Sequence, residues 1–354
     1  MKAPFPYFGG KSRIAGEVWK RFGTVKNYVE PFFGSGAMLL NRPDWKPGIR
    51  LLETVNDKDG FLSNFWRAVA ADPKQVAYHA DWPVNENDLH ARHSWLVNQR
   101  DNITSRLEGN PDYYDVKVAG WWVWGASCWI GSGWCSGKGP WQSVDGIFVN
   151  VKTKDGQGVN RKLPHLGSAG QGVNRQLPHL GDNGRGVNRK LPHLGDAGRG
   201  VHRHSSGLLE WFYQLAERLR YVRVASGDWS RVTGPSVTHG FGLTAVFLDP
   251  PYSDDANRAN DLYAKDDLSV SHKVREWAIA NGDNPKMRIA LCGYDGEHAM
   301  PESWTAINWK TNGGYGNQGD VQGAINKHRE MIWFSPHCLT DSPSVGNAGE
   351  GTLW

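Results

Sequence analysis

Residues 158–199 repeat a 14-residue unit three times: GVNRKLPHLGSAGQ (158–171), GVNRQLPHLGDNGR (172–185) and GVNRKLPHLGDAGR (186–199), with GVHRHS opening a fourth copy. Each unit holds three glycines and one proline, so neither a helix nor a continuous strand fits it. Each offers only one valine and two leucines for burial. The segment therefore reads as an array of turns or a flexible loop set into a globular domain, and the core must come from the chain on either side of it. The period is shorter than that of the common helical repeats.

The flanking chain alternates between two periodicities. KNYVEP (26–31), GIRLLETVND (48–57), YVRVAS (221–226), LTAVFLDP (243–250), RIALCGY (288–294) and EMIWFSP (330–336) read as strands. Helices are expected over 36–41, 59–72, 85–108, 207–220 and 271–281; in the second of these Phe61, Leu62, Phe65 and Val69 share one face. Residues 113–135 are aromatic and apolar, then broken by glycines. Strands alternating with helices predict an α/β sheet. The last fifteen residues, rich in Ser and Gly, read as disordered.

Composition narrows the class. The 354 residues suit one large domain with an insertion. No apolar run reaches 18 residues, so no membrane helix is expected, and MKAPFPYFGGKSR lacks the apolar centre of a signal peptide. The four cysteines (Cys128, Cys135, Cys292, Cys338) lack the paired spacing of a zinc site, which fits a reduced, cytoplasmic protein with no structural metal. The net charge of +4 is uneven: residues 158–204 hold eight basic and two acidic residues, a local +6, leaving −2 elsewhere. Five histidines lie between 165 and 204, but the 14-residue period and the absence of cysteine there argue against a metal site. Eighteen tryptophans fit either a compact core or the binding of flat partners.

Two stretches can carry chemistry. In VEPFFGSGAMLL (29–40) a strand, a turn with Gly34 and Gly36 and a helix follow one another, which is how α/β folds present a cofactor at the carboxyl ends of strands. The third glycine of the dinucleotide fingerprint is missing, and GGKS at 9–12 lacks the first glycine of a phosphate loop. The next strand ends at Asn56-Asp57, 21 residues past Gly36, where a carboxylate can meet a ribose diol; capping of the helix at 59–72 is the other reading of Asp57. A ribose with no pyrophosphate to cradle suits S-adenosylmethionine. The second stretch is AVFLDPPYSD (245–254), where a buried strand stops on Asp249-Pro250-Pro251-Tyr252. Prolines alone end strands, but here an acceptor carboxylate, a free carbonyl and an aromatic ring are delivered together.

These residues resemble the Dam-type DNA adenine N6-methyltransferases, including phage-type members. PYFGGKSRIA (6–15) resembles that family's methionine-binding motif, VEPFFGSG its glycine motif, VNDKDGFLSNFW (55–66) its ribose segment and DPPY its catalytic motif, all in the family's order. The resemblance covers most of residues 4–72 and 243–336; WWVWGASCWIGSGWC (121–135) departs from the family pattern and the repeats have no counterpart in it.

The resemblance implies a Rossmann-like S-adenosylmethionine-dependent methyltransferase sheet, catalytic over 1–75 and 205–338, with a DNA-recognition insertion over 76–204 and a flexible tail over 339–354. It implies S-adenosylmethionine contacts from Tyr7, Phe8, Gly9, Lys11, Glu30, Pro31, Phe32, Gly34, Gly36, Asn56, Asp57 and Asp249, with Lys11 meeting the methionine carboxylate. Asp249, Pro250, Pro251 and Tyr252 would be catalytic, Asp249 and the Pro250 carbonyl accepting the two N6 hydrogens of a flipped adenine and Tyr252 stacking on it. None of the cysteines follows a proline, unlike the nucleophile of the cytosine C5 enzymes. Arg161, Lys162, Arg175, Arg185, Arg189, Lys190, Arg199 and Arg203 would meet the phosphates of double-stranded DNA, with Asn160, Asn174 and Asn188 reaching adenine edges. The competing readings are an N4-cytosine or RNA methyltransferase, in the first of which Ser typically replaces Asp249, and a non-catalytic nucleic-acid binder.

Overall fold

The computed structural model describes residues 1–5, 10–129, 134–135, 141–144, 147–150, 206–251, 270–309 and 330–340. The repeats and all but the first two residues of the 339–354 stretch lie outside them. Helices span Ala15–Phe22 (α1), Ala37–Leu40 (α2), Gly60–Ala71 (α3), Pro73–Ala80 (α4), Glu86–Gly109 (α5), Val116–Cys128 (α6), Ser206–Leu219 (α7) and Val270–Gly282 (α8). Strands span Asn27–Glu30 (β1), Leu52–Asp57 (β2), Trp141–Val144 (β3), Ile147–Asn150 (β4), Val222–Ser226 (β5), Thr244–Leu248 (β6), Met287–Tyr294 (β7), Thr305–Asn308 (β8) and Glu330–Phe334 (β9). β3 and β4 form a separate antiparallel pair.

Seven strands form one sheet in the order β5-β2-β1-β6-β7-β9-β8. The first five in that order run parallel; β9 runs against both β7 and β8. The chain steps outward from β1 to β2 to β5, then returns to lay β6 on the other flank of β1. The β1/β6 boundary is thus the topological switch point, where a crevice opens beyond the carboxyl ends of the strands. This is a Rossmann-like α/β sheet, as the sequence predicts.

Both faces of the sheet are buried, as parallel strands require. Alternate residues serve opposite cores: Tyr28, Phe247, Ala290 and Cys292 face the layer containing α1, α3, α4, α6 and α7, while Val29, Val246, Ile289 and Leu291 face α8. The described helices of residues 73–128 share that first core, through Val76, Leu96, Val118 and Trp122.

Capping explains the boundaries. Asp59 accepts the Phe61 N–H and starts α3; Asp72 accepts the Gln75 N–H, with Pro73 opening α4; Asp115 accepts the Val118 N–H and starts α6. Within the aromatic, glycine-containing stretch from 113, residues Val116–Cys128 therefore form a helix. Its glycines serve close packing: a Cβ on Gly120 would overlap His79 of α4, and one on Gly125 would overlap the ring of Trp134. β2 begins at Leu52, not 48, because Gly48 holds φ at +81° in the turn before it.

A buried ionic network ties α7, which follows the insertion, to the sheet. Arg218 donates to both Glu53 carboxylate oxygens at 2.6 and 2.8 Å and to the Leu39 carbonyl at 2.8 Å. Arg42 reaches Glu53 at 3.2 Å and the Val25 carbonyl at 2.9 Å. Such a network specifies one arrangement of its elements more than it adds to stability. At the carboxyl end of the described chain, Leu339 donates its N–H to the Arg21 carbonyl at 2.7 Å. Among the described residues no helix is long and apolar enough to cross a membrane.

Candidate active site

A cleft of about 980 Å³, counting the space at its open mouth, lies over the carboxyl ends of β2, β1 and β6. Lys11, Glu30, Pro31, Phe32, Gly34, Asn56, Asp57, Asp249 and Pro251 all line it. The fold thus gathers residues from four separate stretches of the sequence.

The turn after β1 is held from several sides. Gly34 and Gly36 adopt φ of +49° and +70°, and a Cβ on Gly36 would come 2.9 Å from the Phe33 ring. The Phe33 N–H bonds the Asn56 carbonyl at 2.9 Å, and the Trp66 indole donates to the Gly34 carbonyl at 3.0 Å. The buried Asn56 amide donates to the Pro31 carbonyl at 3.0 Å and the Gly227 carbonyl at 3.1 Å, joining the turns that follow β1 and β5.

Asp57 bonds backbone on both oxygens, accepting the Gly34 N–H and the Asp59 N–H, each at 2.9 Å. The cap of α3 is Asp59, not Asp57. Burial pushes the Asp57 carboxyl up to about 7, against the backbone donors that favour its ionised form. Glu30, also buried, accepts the Tyr28 hydroxyl at 2.8 Å; burial holds its carboxyl well above the ordinary range.

At the far flank β6 ends at Leu248 and hands Asp249 to the cleft, with Pro250 buried behind it. Lys11, only 4% exposed, lies 2.9 Å from Asp249 and 3.8 Å from Glu330. Burial disfavours its charge, but the two carboxylates outweigh that and raise it above the usual lysine range. Lys11 therefore meets two of the protein's own carboxylates.

Several lining residues are silent in the sequence. Trp229, which stacks on the expected Phe32 with centroids 6.3 Å apart, lines one wall with Gly227 and Asp228. The available signal was an acid and an indole directly after the β5 strand. Glu330 had only its position, an acid opening an apolar strand. Tyr7, Phe8, Gly9 and Tyr252 lie outside the described residues, as do Arg161, Lys162, Arg175, Arg185, Arg189, Lys190, Arg199 and Arg203.

Residues 7–106 match the model of a family described as D12 class N6 adenine-specific DNA methyltransferase. The matched stretch runs from the Lys11 segment through the glycine turn and Asp57 into α5; Asp249 lies beyond it. No curated protein matches the chain.

Proposed function

We propose that this chain, an adenine N6-specific DNA methyltransferase by the class its residues 7–106 match, takes its methyl group from S-adenosylmethionine and transfers it directly to an adenine turned out of the duplex. The observation that carries this reading is that Asp57 and Asp249 open into one cleft from the two flanks of β1. Strands lie about 4.8 Å apart, so the ends of β2 and β6 are separated by roughly 10 Å. That is the scale of a nucleoside bearing an amino-acid arm.

The residues present fit the cofactor. Asp57 offers acceptor lone pairs to a diol, Phe32 and Trp229 a flat aromatic wall, and Glu30 an acceptor for the amino group of the methionine arm. Pro31, Gly34 and Asn56 line the floor beneath it, Gly36 completes the turn that carries Gly34, and Tyr7, Phe8, Gly9 and Lys11 belong to the motif of its methionine end. When bound, S-adenosylmethionine supplies an electrophilic methyl group on a sulfonium.

The chain's own part in the transfer is to hold the amine. An adenine amine inside the stack is out of reach, so the base must leave it, at a cost of a few kcal/mol. Asp249 and the Pro250 carbonyl accept its two hydrogens and aim the nitrogen lone pair; Pro251 stiffens the turn and Tyr252 stacks on the base. Orientation of this kind supplies much of the rate. As the new bond forms, the nitrogen sheds one proton toward Asp249. Residues 1–75 and 205–338 do this work, and 76–204, with its cationic repeats, engages the DNA.

The test is tritiated methyl transfer from S-adenosylmethionine to unmethylated duplex DNA, followed by nucleoside digestion and mass spectrometry. N6-methyldeoxyadenosine is the expected product. N4-methyldeoxycytidine, or DNA bound without methylation, overturns the reading.

A further inference from the structure

Glu330 belongs to none of the sequence motifs, yet its carboxylate opens into the same buried cluster. The reason is topological. β9 runs against β7, so its first residue lies level with the carboxyl ends of the parallel strands; Glu330 pairs with Tyr294, the last residue of β7. From there its Oε2 comes within 3.8 Å of Lys11 Nζ, which is itself 2.9 Å from Asp249 Oδ2. The backbone N–H of Trp309 bonds the Glu330 carbonyl at 3.1 Å, and the Trp309 ring lies 5.7 Å from the same ammonium.

At 3.8 Å the Glu330–Lys11 contact is too long for a hydrogen bond, and Glu330 Oε2 has no donor among the described residues. Its interaction is with charge, in a site where both partners are buried and salt screens little. One ammonium is thus shared between two carboxylates, only one of which faces the cleft.

We infer that Glu330 is a positioning residue for methyl transfer: by drawing on the charge of Lys11 it limits how tightly the ammonium holds Asp249, and leaves the Asp249 carboxylate a strong acceptor for the target amine. The inference rests on the proposed function. The titratable and charged groups around Glu330 are Lys11 and Asp249, Cys292 and Tyr294 on β7, and Glu30 across the cluster, with Arg21 of α1 at the other end of β9 against Phe334. Burial raises the Glu330 carboxyl above its ordinary range, and Lys11 opposes that rise.

The experiment compares wild type, Glu330→Gln and Glu330→Asp. It measures S-adenosylmethionine affinity by calorimetry, and kcat at saturating cofactor and DNA. In Glu330→Gln the cofactor affinity stays within about threefold and kcat falls about 10- to 100-fold, the scale of a misplaced reacting group. Glu330→Asp, which keeps the charge, recovers much of the rate. A wild-type kcat in Glu330→Gln overturns the inference alone. So does a joint fall of kcat, affinity and Tm in both variants, which would mark Glu330 as merely structural. A wild type that methylates no adenine removes the functional reading, and this inference with it, before either variant is read.

Discussion

The carboxylate of Asp57 accepts the N–H of Gly34 at 2.9 Å, so the end of β2 holds the glycine turn that follows β1. Two motifs separated by 23 residues are thereby one structural unit. The same carboxylate carries a pKa raised to about 7 by burial, which makes it the group that should govern cofactor binding near neutrality. A diol needs the ionised acceptor. Affinity for S-adenosylmethionine should therefore rise as pH increases through about 7 and level off above it. Calorimetry from pH 5.5 to 8.5 reads this directly, and Asp57→Asn should bind weakly with no such rise. The sign for folding is opposite: because the ionised form is disfavoured in the fold, Asp57 costs stability as pH climbs from the ordinary carboxylate range through about 7.

Asp249→Ala should abolish methyl transfer while the cofactor-free fold survives. Lys11 keeps Glu330 as a partner, so the substitution does not strand a buried charge with nothing to meet it. Removing one preorganised group of this kind costs roughly 10²- to 10³-fold or more in kcat. Single-turnover transfer measured beside circular dichroism checks both halves, and an active Asp249→Ala would remove it from the catalytic role.

The parallel core was legible because its strands are short apolar runs whose ends carry the chemistry: β1, β2 and β6 lie within the ranges their sequence predicts, and so do α3 and α7 to within a residue. Other features were not, and three of them show why. α6 hid behind Gly120 and Gly125, which read as breaks when taken by propensity; they are small because His79 and Trp134 press against the helix. The partners of Lys11 hid because they lie more than 200 residues away, so the sequence points Lys11 to the methionine carboxylate and not to Asp249 and Glu330. Glu330 hid because a sequence shows that a strand exists and not which way it runs, and only an antiparallel β9 brings its first residue to the site.

Arg218→Met should destabilise the protein by about 3–5 kcal/mol, because it leaves Glu53 buried with Arg42 as its remaining cation. The double variant Glu53→Met, Arg218→Met should recover part of that loss, since replacing both partners by apolar groups leaves no lone carboxylate. Denaturant titration of the single and double variants measures the coupling. Equal losses in both would assign the effect to packing around α7.

Deleting residues 158–199 should weaken DNA binding and flatten its dependence on salt, leaving S-adenosylmethionine affinity as it was. The deleted stretch carries seven of the eight basic residues of the repeat region against two acids. Each phosphate neutralised contributes about −0.9 to the slope of log K against log salt on duplex DNA, so losing even half of these contacts is measurable. The charge left on the rest of the chain has the wrong sign to substitute: with residues 158–204 set aside it is −2. Fluorescence anisotropy with one duplex at four salt concentrations gives the slope for each protein. A shallower slope with cofactor binding intact assigns the repeats to the phosphate backbone, and the Asn160, Asn174 and Asn188 positions can then be tested one by one for base preference. An unchanged slope shifts the DNA contacts onto the helices of residues 73–128, where Arg92 lies among the rings of Trp82, Trp121 and Trp124 and Lys117 lies over Trp95 and Trp121.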